Sequence, residues 1–258
     1  MNIFHAIILG IVEGMTEFLP ISSTFHLIFT SKLLGLEQTE YLKFFEVFIQ
    51  AGAILAVVVV YFQYILKNKQ NIKSVLISFI PTAVIGFLLH KIIKNLFFNS
   101  DQLMIGAFFV VGILFLVIEY LIQKKKLMLH KSIMEITLMT AILIGLGQAL
   151  AVLPGVSRAG AVMITMMILG YKREEAALYS FLLAVPTILA ASSFDLLKFD
   201  FSLLNHGASI VYLATGFITA FLSALVVIKW FIRFLQKNSL VPFGIYRLVS
   251  SAFFFLIK

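Results

Sequence analysis

The sequence predicts an all-α integral membrane protein with about ten helical segments, and three observations lead to that prediction. Hydrophobic residues make up 61% of the 258 residues and charged residues only 12%, about half the usual share in a soluble domain. The apolar residues form runs close to the ~20 residues that cross a membrane as a helix. Most lysines and arginines lie between these runs. A soluble or disordered chain is therefore excluded, and residues 1–258 are expected to form a single membrane domain.

The charge and the cysteine count exclude further classes of protein. A formal net charge of +8 in a soluble protein would be compatible with nucleic-acid binding. Here the basic residues are grouped in loops between apolar runs, so no nucleic-acid partner is expected. The chain has no cysteine, which excludes a disulfide scaffold and a thiolate metal site.

Seven apolar runs are long enough to cross a hydrocarbon layer of ~30 Å as helices. Each is predicted to be a membrane segment. These runs are residues 45–66, 75–94, 103–122, 133–152, 176–194, 208–230 and 241–257.

Two apolar runs end at a proline that is followed by serines. Residues 3–19 precede Pro20, and residues 133–153 precede Pro154. Proline ends a helix and serine is a preferred first residue for the next one. The apolar stretches that follow are too short to span a bilayer. They predict two re-entrant helix pairs that turn back inside the membrane.

The distribution of basic residues predicts the orientation of the chain. Ten of the 20 lysines and arginines fall in the loops around residues 67–73, 124–131 and 229–237, and with Lys172 and Arg173 the predicted orientation puts 12 on this side of the membrane against six on the other. Cytoplasmic loops of membrane proteins carry such an excess of basic residues. These loops are therefore predicted to be cytoplasmic, and both chain ends external.

The two interrupted helices belong to an internal repeat. The first copy is expected to cover about 1–122 and the second about 133–258, and the predicted orientation inverts one relative to the other. In proteins built from inverted repeats, the binding site lies where the broken helices meet near the midplane. The aligned pairs are Glu13 with Gln148, Ser22 with Ser157, and Ser23 with Arg158.

Glu13 and Glu17 form the first candidate group. They are four residues apart, so they share one helix face, and no basic residue is close to them in the sequence. Ionised carboxylates in an apolar helix need a cation, a proton or a water-filled cavity. The pair could hold a divalent cation, or one member could act as a general base.

Ser22, Ser23 and Thr24 begin the first predicted half-helix, and His26 lies one turn further on. Free N–H groups and the helix dipole make such a helix start a site for anions. The hydroxyls could bind a phosphate, one of them could attack it, or Ser22 could be an ordinary helix cap. His26 could be an acid, a base or an orienting group.

Arg158 begins the second half-helix, directly after Ser157. A cation at that end opposes the helix dipole and is costly to bury in lipid, so an anion is expected opposite it. That anion is either a protein carboxylate or a phosphate of the substrate, and the phosphate is favoured because Arg binds it bidentately.

Gln50 is expected to line the cavity or to form a hydrogen bond with another helix. Tyr246 and Arg247 are expected to form a C-terminal anchor or a distal phosphate contact.

The motifs that contain these residues resemble those of the undecaprenyl-diphosphate phosphatases, also called bacitracin-resistance proteins. The resemblance covers nearly the whole chain. It lies in residues 13–26 (EGMTEFLPISSTFH), 154–158 (PGVSR), 49–56 (IQAGAILA), 180–186 (SFLLAVP) and 242–247 (PFGIYR).

The resemblance implies a multi-pass enzyme of the bacterial cytoplasmic (inner) membrane that converts undecaprenyl diphosphate to undecaprenyl phosphate and phosphate. It also implies an inverted repeat, a pocket open to the outer face, and activity supported by a divalent cation such as Mg²⁺ or Ca²⁺, with Glu13 and Glu17 as its expected ligands. The partners expected are a polyprenyl diphosphate and membrane lipids, with a homodimer left open. The expected catalytic residues are Glu13, Glu17, Ser23, His26 and Arg158, and the expected phosphate-binding residues are Ser22, Thr24, Ser157, Gly155 and Gln50.

The chain also departs from the pattern that it resembles. Phe25 stands where the family usually has Gly, and is expected to narrow the pocket. Ala159 and Val162 replace a Ser and a Thr, so two phosphate hydrogen bonds are expected to be lost.

The nucleophile remains open between Ser23, water and His26. A transporter or flippase of a phosphorylated lipid or anion is the alternative function, since facing half-helices are common in transporters.

Overall fold

The computed structural model describes residues 1–97, 100–200, 202 and 207–256, and within this part of the chain it contains ten α-helices and no strand. The predicted all-α class is confirmed. The helices are α1 (Ile3–Thr16), α2 (Ser23–Leu33), α3 (Glu40–Lys67), α4 (Lys69–Phe97), α5 (Asp101–Gln123), α6 (Leu138–Ala149), α7 (Arg158–Ile168), α8 (Arg173–Lys198), α9 (Gly207–Leu235) and α10 (Val241–Leu256).

Five of these helices, α3, α4, α5, α8 and α9, are long and apolar enough to cross a membrane. The chain is therefore a polytopic α-helical membrane protein. Two of the seven predicted spans are shorter helices in the structure. In 133–152, Thr137 caps α6 and starts it five residues late. In 241–257, α10 has 16 residues, and residue 257 lies outside the described part of the chain.

The two predicted helix breaks are present. At 1.5 Å per residue, α1 and α2, with 14 and 11 residues, are about 21 and 16 Å long, well short of the ~30 Å hydrocarbon core. Helices α6 and α7 are equally short. Ser22 (φ 63°) and Ser157 (φ 74°) turn the chain at the two breaks. A positive φ is uncommon for a residue other than glycine, and here it occurs at equivalent positions of the predicted repeat.

Helix packing follows the predicted repeat. Helix α1 packs against α9, and its counterpart α6 packs against α4. Both contacts depend on a glycine: a Cβ on Gly10 would lie 2.6 Å from the carbonyl oxygen of Gly216, and one on Gly145 would lie 2.2 Å from that of Ser78. Helix α3 also packs against α8, and α5 against α10. These contacts agree with the repeat, whose boundaries at 1–122 and 133–258 stay a prediction.

Helices α5 and α10 lie behind the two breaks and carry buried charges. Glu119 of α5 is fully buried. It accepts a hydrogen bond from Arg173 Nε at 2.7 Å and one from the backbone N–H of Leu240 at 2.8 Å. This carboxylate therefore links α5, the start of α8 and the residue before α10 at one end of the protein.

Candidate active site

A cavity of about 810 Å³ lies where the two helix breaks meet. Apolar residues of α4 and α8 form much of its wall, including Phe79, Ala83, Ile188 and Ala191. The structure brings most of the predicted site residues to this cavity. The members that line it are Glu17, Ser22, Ser23, Thr24, Gln50, Gly155, Ser157 and Arg158.

Glu17 joins the two breaks. Its Oε1 accepts a hydrogen bond from Arg158 Nη2 at 2.9 Å, and its Oε2 accepts a short one from the Ser23 hydroxyl. The two charged side chains are only 8% and 11% exposed. The anion opposite Arg158 in the structure is therefore a protein carboxylate, whereas the sequence favoured a phosphate. The reason is that the first break places a carboxylate within reach of the second, a contact across 141 positions of the chain.

Arg158 is also held by α8. Its Nη1 donates to the Ser180 carbonyl at 2.7 Å and contacts the Ser180 hydroxyl at 3.1 Å. Its Nε is buried and has no hydrogen-bond partner among the described residues. A buried donor without a partner costs about 1–3 kcal/mol. The guanidinium of this cavity-lining residue therefore has one N–H without a partner among the described residues.

Glu13 lies one turn before Glu17 and is fully buried. No N–H or hydroxyl group of the described residues donates to either carboxylate oxygen, and the neighbouring Glu17 carboxyl group becomes a hydrogen-bond partner only when one of the two is protonated. Two adjacent buried carboxyl groups that share one Arg need a further proton or cation.

The donor set at Glu13 and Glu17 fits a divalent cation that substrate and water help to hold. Within the described residues there is no group of three potential metal-ligating side chains, so the protein alone does not close a coordination shell. Mg²⁺ is commonly bound by one or two carboxylates, with phosphate oxygens and water completing the shell. Glu17 lines the cavity, whereas Glu13 lies one turn behind it with buried oxygens, so the cation site at this pair stays a prediction.

The two half-helix starts differ in an important way. Ser157 Oγ accepts a hydrogen bond from the Gly160 N–H at 3.1 Å and so caps α7. The Ser22 side chain makes no such bond at the start of α2. The first N–H groups of α2 therefore remain available beside the hydroxyls of Ser23 and Thr24. An anion is expected at α2 rather than equally between the two helix starts.

His26 is not among the residues that line the cavity. Its Nδ1 lies 2.8 Å from the Ser22 carbonyl oxygen, and its Nε2 lies 2.6 Å from the Tyr246 hydroxyl. The imidazole also stacks on the Tyr246 ring. Both ring nitrogens are thus engaged away from the cavity, and the predicted acid, base or nucleophile role of His26 stays a prediction.

Arg247 has a role that the sequence analysis did not find. The sequence offered an anchor or a distal phosphate contact, but the guanidinium is fully buried and faces backbone carbonyls. It donates to Phe108 at 2.9 Å, Pro20 at 3.0 Å and Gly155 at 2.6 Å, and it lies 4.1 Å from the centre of the Phe108 ring. Arg247 therefore ties both breaks to α5. The only sequence signal was an arginine in an apolar run without a nearby acid.

Three departures from the family pattern, at residues 25, 159 and 162, lie outside the cavity wall. Phe25 does not narrow the pocket, because its ring stacks on Phe108 at 4.0 Å in an apolar cluster behind α2. Ala159 and Val162 are buried and do not line the cavity. The expected loss of two phosphate contacts at these positions is therefore not supported by their placement.

Gly155 lies at the tightest point of the second break. Its φ is 93°, and a Cβ there would lie 2.3 Å from the Met104 carbonyl oxygen. Only glycine fits this close approach without a shift of α5. Its part in phosphate binding stays a prediction.

These features define an α-helical membrane protein whose candidate site is built from two facing helix breaks that carry carboxylates, hydroxyls and an arginine. The sequence pattern of the bacitracin resistance protein BacA family matches residues 6–253, and the chain belongs to that family.

Similar proteins extend over the whole chain. An undecaprenyl-diphosphatase of Persephonella marina is 47% identical over 256 residues, which is 99% of each chain. One from Aquifex aeolicus is 43% identical over 258 residues, covering 98% of this chain and 99% of the relative. One from Campylobacter fetus is 45% identical over 263 residues, 99% of each chain. The resemblance stated from the motifs is thus confirmed.

We expect Arg247→Lys to lower the free energy of unfolding by about 2–4 kcal/mol. A lysine has a single nitrogen and cannot reach carbonyls on three separate segments. Thermal unfolding in detergent measures the effect. Arg233→Lys is the matched control, because Arg233 is exposed on α9 and its replacement should be nearly neutral. Equal stability of the two variants would contradict a stabilising role for the hydrogen bonds by which Arg247 joins the two helix breaks to α5.

Proposed function

We propose that the protein hydrolyses undecaprenyl diphosphate to undecaprenyl phosphate and inorganic phosphate, and so recycles a lipid carrier for cell-wall synthesis. The observation that carries the proposal is the contact of Glu17 with both Arg158 and Ser23 at the cavity. It unites an anion-binding cation, a hydroxyl and a proton acceptor. The names of the full-length relatives support the same reaction, and do not favour the transporter alternative.

In the proposed complex the diphosphate binds at the start of α2. There its oxygens accept hydrogen bonds from the free N–H groups of the half-helix and from the hydroxyls of Ser22 and Thr24. Arg158 lines the same cavity, and its unpaired Nε–H is proposed to donate to the diphosphate. The prenyl chain follows the apolar wall of α4 and α8 towards lipid, where Phe87 is exposed. Gln50 on α3 lines the same cavity and completes its polar side.

Ser23 is the proposed nucleophile. Glu17 Oε2 accepts the hydroxyl proton while Oγ bonds to the terminal phosphorus, and the bond to the bridging oxygen breaks as undecaprenyl phosphate leaves. Water then attacks the phosphoserine and releases inorganic phosphate. Arg158 and the N–H groups of α2 stabilise the charge that develops on the transferred phosphoryl group. In the alternative route, water attacks directly and Ser23 only positions the phosphate.

A divalent cation, Mg²⁺ or Ca²⁺, is proposed to bind at Glu13 and Glu17. When bound it would neutralise phosphate charge next to the carboxylates. Glu13 would supply the otherwise unpaired oxygens, and Glu17 would have to share its contacts with Arg158 and Ser23. The cation therefore fits best together with substrate.

The site is proposed to face the outer side of the bacterial cytoplasmic membrane. The basic loops near 67–73, 124–131 and 229–237 support that orientation through the positive-inside rule. The polyprenyl diphosphate is then bound from the outer leaflet. A homodimer stays a prediction.

The activity itself is tested with purified protein and farnesyl diphosphate in detergent, where no transmembrane gradient exists. We expect phosphate release that chelation of divalent cations abolishes. Arg158→Lys should reduce turnover about a hundredfold, as for loss of one transition-state donor, because lysine cannot bind phosphate bidentately. Arg233→Lys is the control and should remain active. Tight lipid-diphosphate binding without any phosphate release would instead support a transporter.

Ser23→Ala should abolish turnover by several orders of magnitude, because the phosphoserine cannot form. Ser31→Ala is the matched control, since Ser31 is a buried serine of the same helix that bonds Glu46 outside the cavity. With a chiral terminal phosphoryl group, the two displacements predict retention of configuration. Inversion with only a ten- to hundredfold loss, on the order of one or two hydrogen bonds to a charged group, would leave Ser23 as a binding residue.

The orientation is tested by single cysteines, which this cysteine-free chain allows. Gln38 and Gln70 are both exposed, after α2 and at the start of α4. An impermeant thiol reagent added to intact cells should label Gln38→Cys and leave Gln70→Cys unlabelled until the cells are opened. The reverse pattern would place the cavity on the cytoplasmic side.

A further inference from the structure

A second polar cluster lies on the cavity wall, formed by Gln148 of α6, Thr82 of α4 and Thr187 of α8. Gln148 Nε2 donates to Thr82 Oγ1 at 2.9 Å and to Thr187 Oγ1 at 3.2 Å. All three residues line the cavity, and Gln148 is fully buried. None of the three has a part in the mechanism above.

The hydrogen-bond network fixes the orientation of the Gln148 amide. The hydroxyl of Thr82 donates its proton to the Gly145 carbonyl at 2.9 Å, and that of Thr187 donates to the Leu183 carbonyl at 2.7 Å. Each threonine oxygen can then only accept towards Gln148. The NH₂ group must face the two threonines, because a flipped amide would place three acceptors together without a proton.

The carbonyl oxygen of Gln148 is left without a partner. Oε1 is buried and no described residue donates to it. Leaving a buried acceptor unpaired costs about 1–3 kcal/mol, so a donor is expected when the cavity is filled. In the predicted repeat, Gln148 is the counterpart of Glu13, whose oxygens are also unpaired. The second copy thus presents a neutral acceptor where the first presents a carboxyl group.

We propose that Gln148 is a further substrate-site residue, whose Oε1 accepts a hydrogen bond from an O–H group in the occupied cavity. The proposal rests on the proposed function. A prenyl chain has no such donor, and a divalent cation would prefer the charged oxygens of Glu13 and Glu17. Two sources of O–H remain: a protonated oxygen of the substrate's diphosphate, or a water molecule bound beside it.

A neutral acceptor suits this position, because the Glu17 carboxylate already lines the cavity and a second carboxylate would add to the repulsion of the diphosphate. The site lies close to the anion-binding groups along α8. Thr187, which contacts Gln148, is seven residues from Ser180, which contacts Arg158, a separation of about 10 Å along the helix. In the proposed complex, Gln148 and Arg158 therefore contact the same ligand in one cavity.

The test uses the non-hydrolysable methylene-bridged analogue of farnesyl diphosphate, and compares its Kd for the wild type and Gln148→Met. Methionine keeps the length of the side chain without the carbonyl. We expect affinity to fall three- to tenfold, as for one lost hydrogen bond. Thr165→Val is the matched control. Thr165 packs on Gly147 at the α6–α7 contact but does not line the cavity, so affinity should be unchanged.

The pH dependence of the loss of analogue affinity in Gln148→Met distinguishes a ligand O–H donor from a water donor. If the donor is the protonated oxygen of the ligand, the ratio of the two Kd values should return to one as the terminal phosphonate loses its last proton. If the donor is water, the ratio should stay constant with pH. A ratio within twofold of one at every pH would overturn the proposal.

Gln148→Glu provides a second variant if Gln148→Met does not fold. It is nearly isosteric but places an anion beside the ligand, so affinity should fall at least tenfold, and an unchanged affinity would again overturn the proposal.

Binding of the analogue does not require turnover. A wild type that binds it but releases no phosphate from farnesyl diphosphate would reject the proposed hydrolysis, while the comparison at Gln148 would still stand.

Discussion

The ion pair between Glu17 and Arg158 is the contact on which the site depends. Each charge would be costly in an apolar membrane segment without the other. Their contact at 2.9 Å joins the first helix break to the second, and it holds Ser23 through the other oxygen of the same carboxylate. One pair therefore reduces the cost of two buried charges and aligns the residues that the chemistry needs.

Arg247 supports the same arrangement from behind the cavity. It contacts no carboxylate in the described part of the chain, and its donors all face backbone carbonyls near the breaks and on α5. Helix breaks leave carbonyl groups without partners in the helix, and in a membrane there is little water to satisfy them. A planar cation with five donors is well suited to such a group of acceptors. The two arginines thus act on opposite sides of one junction.

The two helix breaks have similar backbone geometry but carry different chemical groups, as the predicted repeat allows. Ser22 and Ser157 turn the chain with similar positive φ angles, yet only Ser157 caps its helix. In the alignment of the predicted repeat, Ser23 of the first copy corresponds to Arg158 of the second. A hydroxyl and a cation therefore approach the cavity from opposite breaks. The same divergence leaves Glu13 acidic and its counterpart Gln148 neutral.

The sequence alone determined the membrane class, the two helix breaks and most of the cavity residues, because these follow from apolar runs, proline positions and local motifs. It did not determine the partner of Arg158, the contact of His26 with Tyr246, the hydrogen bonds of Arg247 or the packing of Phe25 against Phe108. Each of those depends on residues far apart in the chain, such as His26 and Tyr246, 220 positions apart. Only the packing of α5, α8 and α10 around the breaks decides which of these side chains meet, since local periodicity carries no information about neighbours on other helices.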